Sequence, residues 1–235
     1  MNAPKNALLL IGSPKPGESS SESLGCYLLE ELAARGLKTQ TVKLVKALRH
    51  EEGLQELRAA VVASDLVVLS FPLYVDSLPA PLTMALETIA EWRTGAGDEA
   101  GAAVAAAGAG KPALVAICQS GFPEVVQSEV AIEICRNFAQ AAGFGWAGGL
   151  ILAAGGMVNG QPLRKIKGMM RSCVKALDLT ADDLAAGRPV SAEAVRLMAK
   201  PALPKFGYRF MANRGWRSQL KKGGDGSPLD AQPYA

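Results

Sequence analysis

The chain of 235 residues carries a formal net charge of +3, with 49% hydrophobic and 20% charged side chains; this is the balance of a soluble globular protein, long enough to bury a substantial core as one domain with an appendage. The opening apolar run at residues 7–11 is far too short for a secretory or membrane-spanning segment and no other run reaches spanning length, so a cytoplasmic location is expected. Cys26, Cys118, Cys135 and Cys173 show no C-x-x-C spacing and His50 is the single histidine, which argues against a zinc site, a disulfide framework or a His-dependent triad; buried thiols and a solvated imidazole are expected instead.

Residues 7–11 read as a strand that breaks at Gly12 into a loop of Gly, Pro, Lys and Ser, after which Leu24, Tyr27, Leu28 and Leu32 recur at helical spacing. A strand, loop and helix in that order put unpaired helix N–H groups at the carboxyl end of a parallel strand, where anions bind. Ser13, Ser19, Ser20 and Ser21 add hydroxyls and Lys15 adds a cation, so the loop is equipped to hold a phosphate. A helix cap alone would explain one of those serines. The spacing from Gly12 to Gly17 nearly fits the nucleotide-triphosphatase loop, but Glu18 stands where that motif needs lysine. Gly143, Gly145 and Gly148 match a dinucleotide-binding spacing, yet they lead into an apolar run instead of opening a helix, and the match is read as a decoy.

Gly36 ends the first helix, residues 38–44 alternate as a second strand, and Leu54, Leu57, Val61 and Val62 mark a second helix. The unbroken apolar run at 65–71 suits a central strand buried on both faces. Pro79 and Pro81 open a helix continued by Leu82, Leu86 and Ile89. Residues 94–110 are mostly Ala and Gly, with no readable function. A strand at 113–118, a helix at 124–142, a strand at 146–153 and a helix bearing Leu163, Ile166, Met170, Cys173 and Leu177 complete the alternation. Strands alternating with helices imply an α/β domain, a five-stranded parallel sheet with helices on both faces, in three layers.

Residues 1–178 are read as that domain and 179–235 as a helical or irregular extension, in which Thr180 and Ser191 look like helix N-caps. Between Arg196 and Lys222 there are eight Lys or Arg and no acid, whereas residues 1–195 carry 17 basic and 20 acidic side chains. Phe206, Tyr208, Phe210 and Trp216 are interleaved with these cations. Such an arm can meet nucleic acid or an anionic surface, but packing on its own domain or on a partner copy is the commoner arrangement. Nucleic acid is not expected, and a weak contact with an anionic surface is the most that Arg196 to Lys222 implies.

If the first loop holds a phosphate, the loops after the third and fourth strands line the rest of the same crevice. The third offers Pro72, Leu73, Tyr74 and Val75, closed by Pro79, as a flat surface for a planar ring. The fourth offers Gln119, Ser120, Gly121 and Phe122, where Gly121 permits close backbone approach. Each alone is ordinary turn chemistry; their succession along one sheet edge is harder to dismiss.

GSPK followed by SSSESL, then PLYVDSLPAPL and QSG, resembles the NAD(P)H-dependent FMN reductases and quinone reductases over about residues 6–178. The resemblance implies a flavodoxin-like fold, with the FMN phosphate on Ser13, Lys15, Ser19, Ser20 and Ser21. It places Pro72, Leu73, Tyr74 and Val75 beside the isoalloxazine ring, and Ser120 and Gly121 near its far side. Lys15 stands where Arg is common, replacing a forked contact with a point charge. NADPH or NADH as co-substrate, a quinone, free flavin or similar small acceptor, and a homodimer are implied with it. Such chemistry needs no catalytic acid or base from the protein, and neither a catalytic residue nor a metal ligand is nominated. The rival expectation is a flavodoxin-like electron carrier without nicotinamide activity; such carriers are strongly acidic, unlike this chain.

Overall fold

The computed structural model describes residues 2–95, 111–201, 207, 210 and 213–218. The Ala- and Gly-rich stretch from 96 to 110 and most of the basic arm lie outside the described residues. Strands β1 (Asn6–Ile11), β2 (Lys38–Lys43), β3 (Leu66–Pro72), β4 (Ala113–Gln119) and β5 (Gly145–Leu152) form one parallel sheet in the order β2-β1-β3-β4-β5. Right-handed crossovers that reverse direction between β1 and β3 must send helices to opposite faces. Accordingly α1 (Ser20–Ala34), α6 (Arg171–Ala185) and α7 (Ala192–Met198) cover one face, and α2 (Leu44–Ala47), α3 (Glu51–Val62), α4 (Ala80–Thr94) and α5 (Glu129–Ala141) the other. This is the flavodoxin-like three-layer arrangement, with β3 central and buried throughout.

The period of two along each strand divides the interior. Leu9, Ile11, Leu66 and Val68 pack under α1 and α6, while Leu8, Leu10, Val67, Leu69 and Phe71 pack under α3 and α4. Helix α1 lies close against the sheet at Gly25, where a Cβ would stand 2.6 Å from Leu9 Cδ1 and 3.1 Å from Ser70 Cβ. Beside it the Ser70 hydroxyl donates to the Ser21 carbonyl at 2.6 Å. The helix start is thereby fixed above the crevice between β1 and β3.

Several local expectations change. Thr180 is not a cap: it lies inside α6, buried, and its hydroxyl donates to the Ala176 carbonyl at 2.7 Å, which satisfies it within the helix. Helix α6 runs across residue 178 without a break, and Leu184 and Met198 join the core beneath α1. Leu163 and Ile166 precede that helix, Leu163–Lys165 forming a 3-10 turn. Likewise α5 starts only at Glu129, after a 3-10 turn at Val126–Ser128. Ser191 does cap α7, accepting from the Ala194 N–H at 3.4 Å. Just before it, the Val190 N–H donates to the Ala147 carbonyl on the outer side of β5 at 2.8 Å. Gly143 sits in the turn before β5, and Gly145 and Gly148 lie within it, so no helix follows these glycines directly.

His50 is exposed just ahead of α3. Cys118, Cys135 and Cys173 are buried and Cys26 half-buried. Burial pushes the thiols of Cys118 and Cys173 up to about 12, which leaves them unreactive at neutral pH. Among the described residues no helix is long and apolar enough to cross a membrane.

Candidate functional site

The carboxyl end of β1 turns at Gly12, whose N–H donates to the Ser70 carbonyl at 2.9 Å and so keeps the first loop beside β3. Ser13 is buried, and its hydroxyl oxygen accepts from the Lys15 N–H at 3.4 Å. Ser19, extended at φ −134° and ψ 155°, caps α1 by accepting from the Glu22 N–H at 3.1 Å. Ser20 opens the helix. Ser13, Lys15, Ser19, Ser20, Pro72 and Tyr74 converge on one cavity of about 180 Å³. Gln119 at the end of β4, and Gly156, Asn159 and Gly160 after β5, complete its walls.

Among the described residues no carboxylate lines this cavity and Lys15 is its one cation, so together with the α1 N-terminus it attracts an anion. Its volume is below the ~300 Å³ at which pockets engulf a whole drug-sized ligand. The cavity suits the anionic end of such a ligand, the remainder lying across its mouth.

The other nominated residues lie elsewhere. Ser21 is fully buried one step into α1; among the described residues its hydroxyl has no partner, and its carbonyl takes the bond from Ser70. It anchors the helix to the sheet and does not line the cavity. Leu73 is half-buried, its N–H donating to the Gln119 carbonyl at 2.8 Å. Ser120 is buried under the fourth loop, with a hydroxyl that has no partner among the described residues, and Gly121 beside it is exposed.

Val75 stands at the tip of a two-residue hairpin. Tyr74 and Ser77 exchange both backbone bonds at 3.0 Å, with Val75 at φ 49° and Asp76 at φ 55°. Both central residues are left-handed, the geometry that ordinarily calls for Asn-Gly. Val75 is 98% exposed, so no packing offsets the strain of a branched side chain there. Val75→Asn is expected to raise the unfolding free energy by about 1 kcal/mol in urea titrations. A loss of stability would mean that the valine packs against something at the loop tip.

The loop after β5 was not nominated from the sequence. Its signal is the run Ala153-Ala154-Gly155-Gly156 and the pair Asn159-Gly160 at a strand end. Ala154 (φ 54°), Asn159 (φ 48°) and Gly160 (φ 74°) are all left-handed, which folds the loop back over the first one. A Cβ at Gly160 would stand 3.1 Å from the carbonyl carbon and oxygen of Glu18.

Residues 6–121 match the family described as NADPH-dependent FMN reductase. No curated protein matches the chain. The fold is similar to that of an NADH:FMN oxidoreductase in its apo form, with a TM-score of 0.57 and 13% identity over 86% of this chain and 98% of that one. It is also similar to an NAD(P)H:quinone oxidoreductase from Methanothermobacter marburgensis, with a TM-score of 0.51 and 15% identity over 77% and 94% of the two chains. An FMN-dependent NADH-azoreductase from Bacillus anthracis, solved in complex with FMN, gives 0.51 and 12% over 77% and 99%. At such identities the likeness establishes the fold.

Proposed function

We propose, since residues 6–121 match the NADPH-dependent FMN reductase family, that the chain is an FMN-dependent NAD(P)H oxidoreductase that passes its electrons to a quinone, a free flavin or a similar small acceptor. The observation that carries this reading is the cavity at the β1–β3 crossing point, free of carboxylates among the described residues, where Ser13, Lys15, Ser19 and Ser20 meet the start of α1. That donor set, hydroxyls with one ammonium and free helix N–H groups, fits a phosphate monoester. When bound, the flavin supplies the acceptance and onward transfer of electrons; the protein supplies binding, orientation and electrostatics.

Lys15 and the three hydroxyls hold the phosphate, with Pro72 and Tyr74 beside the mouth through which the rest of the cofactor leaves the cavity. Leu73, Val75, Ser120 and Gly121 lie on the same two loops and are proposed to border the ring. A homodimer belongs to the same proposal, supported by the apolar side chains of Met84 on α4, of Val126 in the 3-10 turn before α5 and of Val130 in its first turn, all exposed.

The test is to load the purified protein with FMN and record its visible spectrum without oxygen, before and after NADPH and then NADH. Bleaching of the bound flavin by either nucleotide is expected. Flavin that stays oxidised would make the protein an electron carrier, and no bound flavin would overturn the assignment of the first loop.

A further inference from the structure

We propose that Arg164, outside the cavity and beyond the matched segment, is a positioning residue that latches the loop after β5 onto α1 and thereby sets the affinity of the site for its flavin. The inference rests on the flavin reading above.

The loop places Gly156, Asn159 and Gly160 in the cavity wall. Its beginning is tied to the fourth loop, the Ala154 N–H donating to the Phe122 carbonyl at 2.7 Å and the Gly155 N–H to that of Ser120 at 2.8 Å. Its interior backbone bonds are local turns: Met157 to Ala154, Val158 to Gly155 and Gln161 to Val158. Buried Val158 and Leu163, the packing of Gly160 against Glu18 and the side chain of Arg164 fasten its far half, and of these Arg164 alone does so through side-chain hydrogen bonds among the described residues.

Arg164 makes that end specific. Its Nε donates to Glu30 and its Nη2 to Glu31, both at 2.9 Å, and its guanidinium lies 5.2 Å from the centre of the Tyr27 ring. Tyr27, Glu30 and Glu31 are neighbours on one face of α1 by their spacing of three and four residues. The receiving groups are themselves held from α6. The Tyr27 hydroxyl donates to Asp178 at 2.8 Å, and Arg35 bridges Glu31 at 3.0 Å and Asp182 at 2.7 Å. Arg35 and Arg164 beside Glu31 hold its carboxyl below the usual range, so the acceptor stays charged at neutral pH. A planar fork engages two carboxylates and an aromatic face together, which a lysine cannot do.

Three residues separate Arg164 from Gly160, and Gly160 abuts the Glu18 backbone just ahead of the helix cap. Slack at Arg164 therefore reaches the wall of the cavity. Exposed ion pairs are individually weak, so the expected effect is graded. The apparent dissociation constant scales inversely with the fraction of molecules whose site is assembled. A loop in place about one-fifth of the time without the latch weakens binding about fivefold.

The experiment uses the full chain as wild type, Arg164→Gln and Arg164→Lys. Amide hydrogen exchange over residues 154–162 is measured without flavin, and FMN affinity by quenching of flavin fluorescence. Exchange in that loop is expected to quicken in Arg164→Gln while the strands keep their protection, with FMN bound about fivefold more weakly and Lys restoring only part. Unchanged exchange in the loop, quickening across the whole sheet, or faster exchange with unaltered FMN affinity would each overturn the latch. If the wild type binds no FMN, the flavin reading falls, and with it the effect on affinity, while the exchange comparison still decides whether Arg164 holds the loop.

Discussion

Gly160→Val is expected to lower the unfolding free energy by about 2–6 kcal/mol and to abolish measurable FMN retention on desalting. Two costs add. At φ 74° a branched side chain occupies a region that costs of order 1–3 kcal/mol for residues other than glycine. Its Cβ would also press within 3.1 Å of the Glu18 carbonyl, a backbone group without a flexible end to yield, and overpacking of this kind costs about 1–3 kcal/mol more. Relief comes only if the loop after β5 and the first loop move apart, which opens the cavity. Gly168→Ala, where an added Cβ meets nothing within 4 Å, is the control and should differ little from wild type. A Gly160→Val protein with native stability and bound flavin would show that the two loops are not in the contact described.

Lys15→Glu is expected to raise the FMN dissociation constant about 30-fold at low salt. The lysine is exposed, so its attraction for a phosphate is taken at the weak end, about 1 kcal/mol at contact. Reversal removes that attraction and adds a repulsion of similar size, together about 2 kcal/mol, or about 30-fold. Lys15→Ala should show about half of the free-energy change. Because the charge is exposed, the gap between wild type and variant should narrow as salt is added. Equal affinities at low salt would remove Lys15 from the site.

The apolar runs made the sheet legible. β1, β3 and β4 are buried on both faces and read as near-continuous apolar runs, broken within only by Ser70 of β3. The serine-rich loop was legible as a site, yet not residue by residue. Consecutive helical positions turn by about 100°, so Ser20 enters the cavity while Ser21 turns to the sheet, and four serines in a short span give no sign of which does which. Val62 misleads in the same way: it fits the apolar spacing of its helix but is exposed on the last turn. The hairpin at Val75 and Asp76 was hidden because a branched valine opens it and no glycine follows, although Asp76 itself suits a left-handed position. The loop after β5 was hidden because its contact with Glu18 joins residues 142 apart, a relation that local patterns do not carry. Thr180 was misread because a hydroxyl that caps a helix and one that bonds back within it look identical in sequence.

The bond from the Val190 N–H to the Ala147 carbonyl has a bearing on how the chain survives its own synthesis. A parallel sheet with an uncovered outer strand is a template on which a second chain can add. At β2 that hazard is blunted by Lys38, Thr39, Gln40 and Thr41, all exposed and polar. At β5, an apolar strand, it is blunted by the polypeptide that follows α6, which leaves the ribosome after all five strands. A nascent or truncated chain ending before Val190 holds every strand of the sheet and still leaves its most adhesive margin bare. Premature termination there should yield aggregates and not a smaller soluble protein.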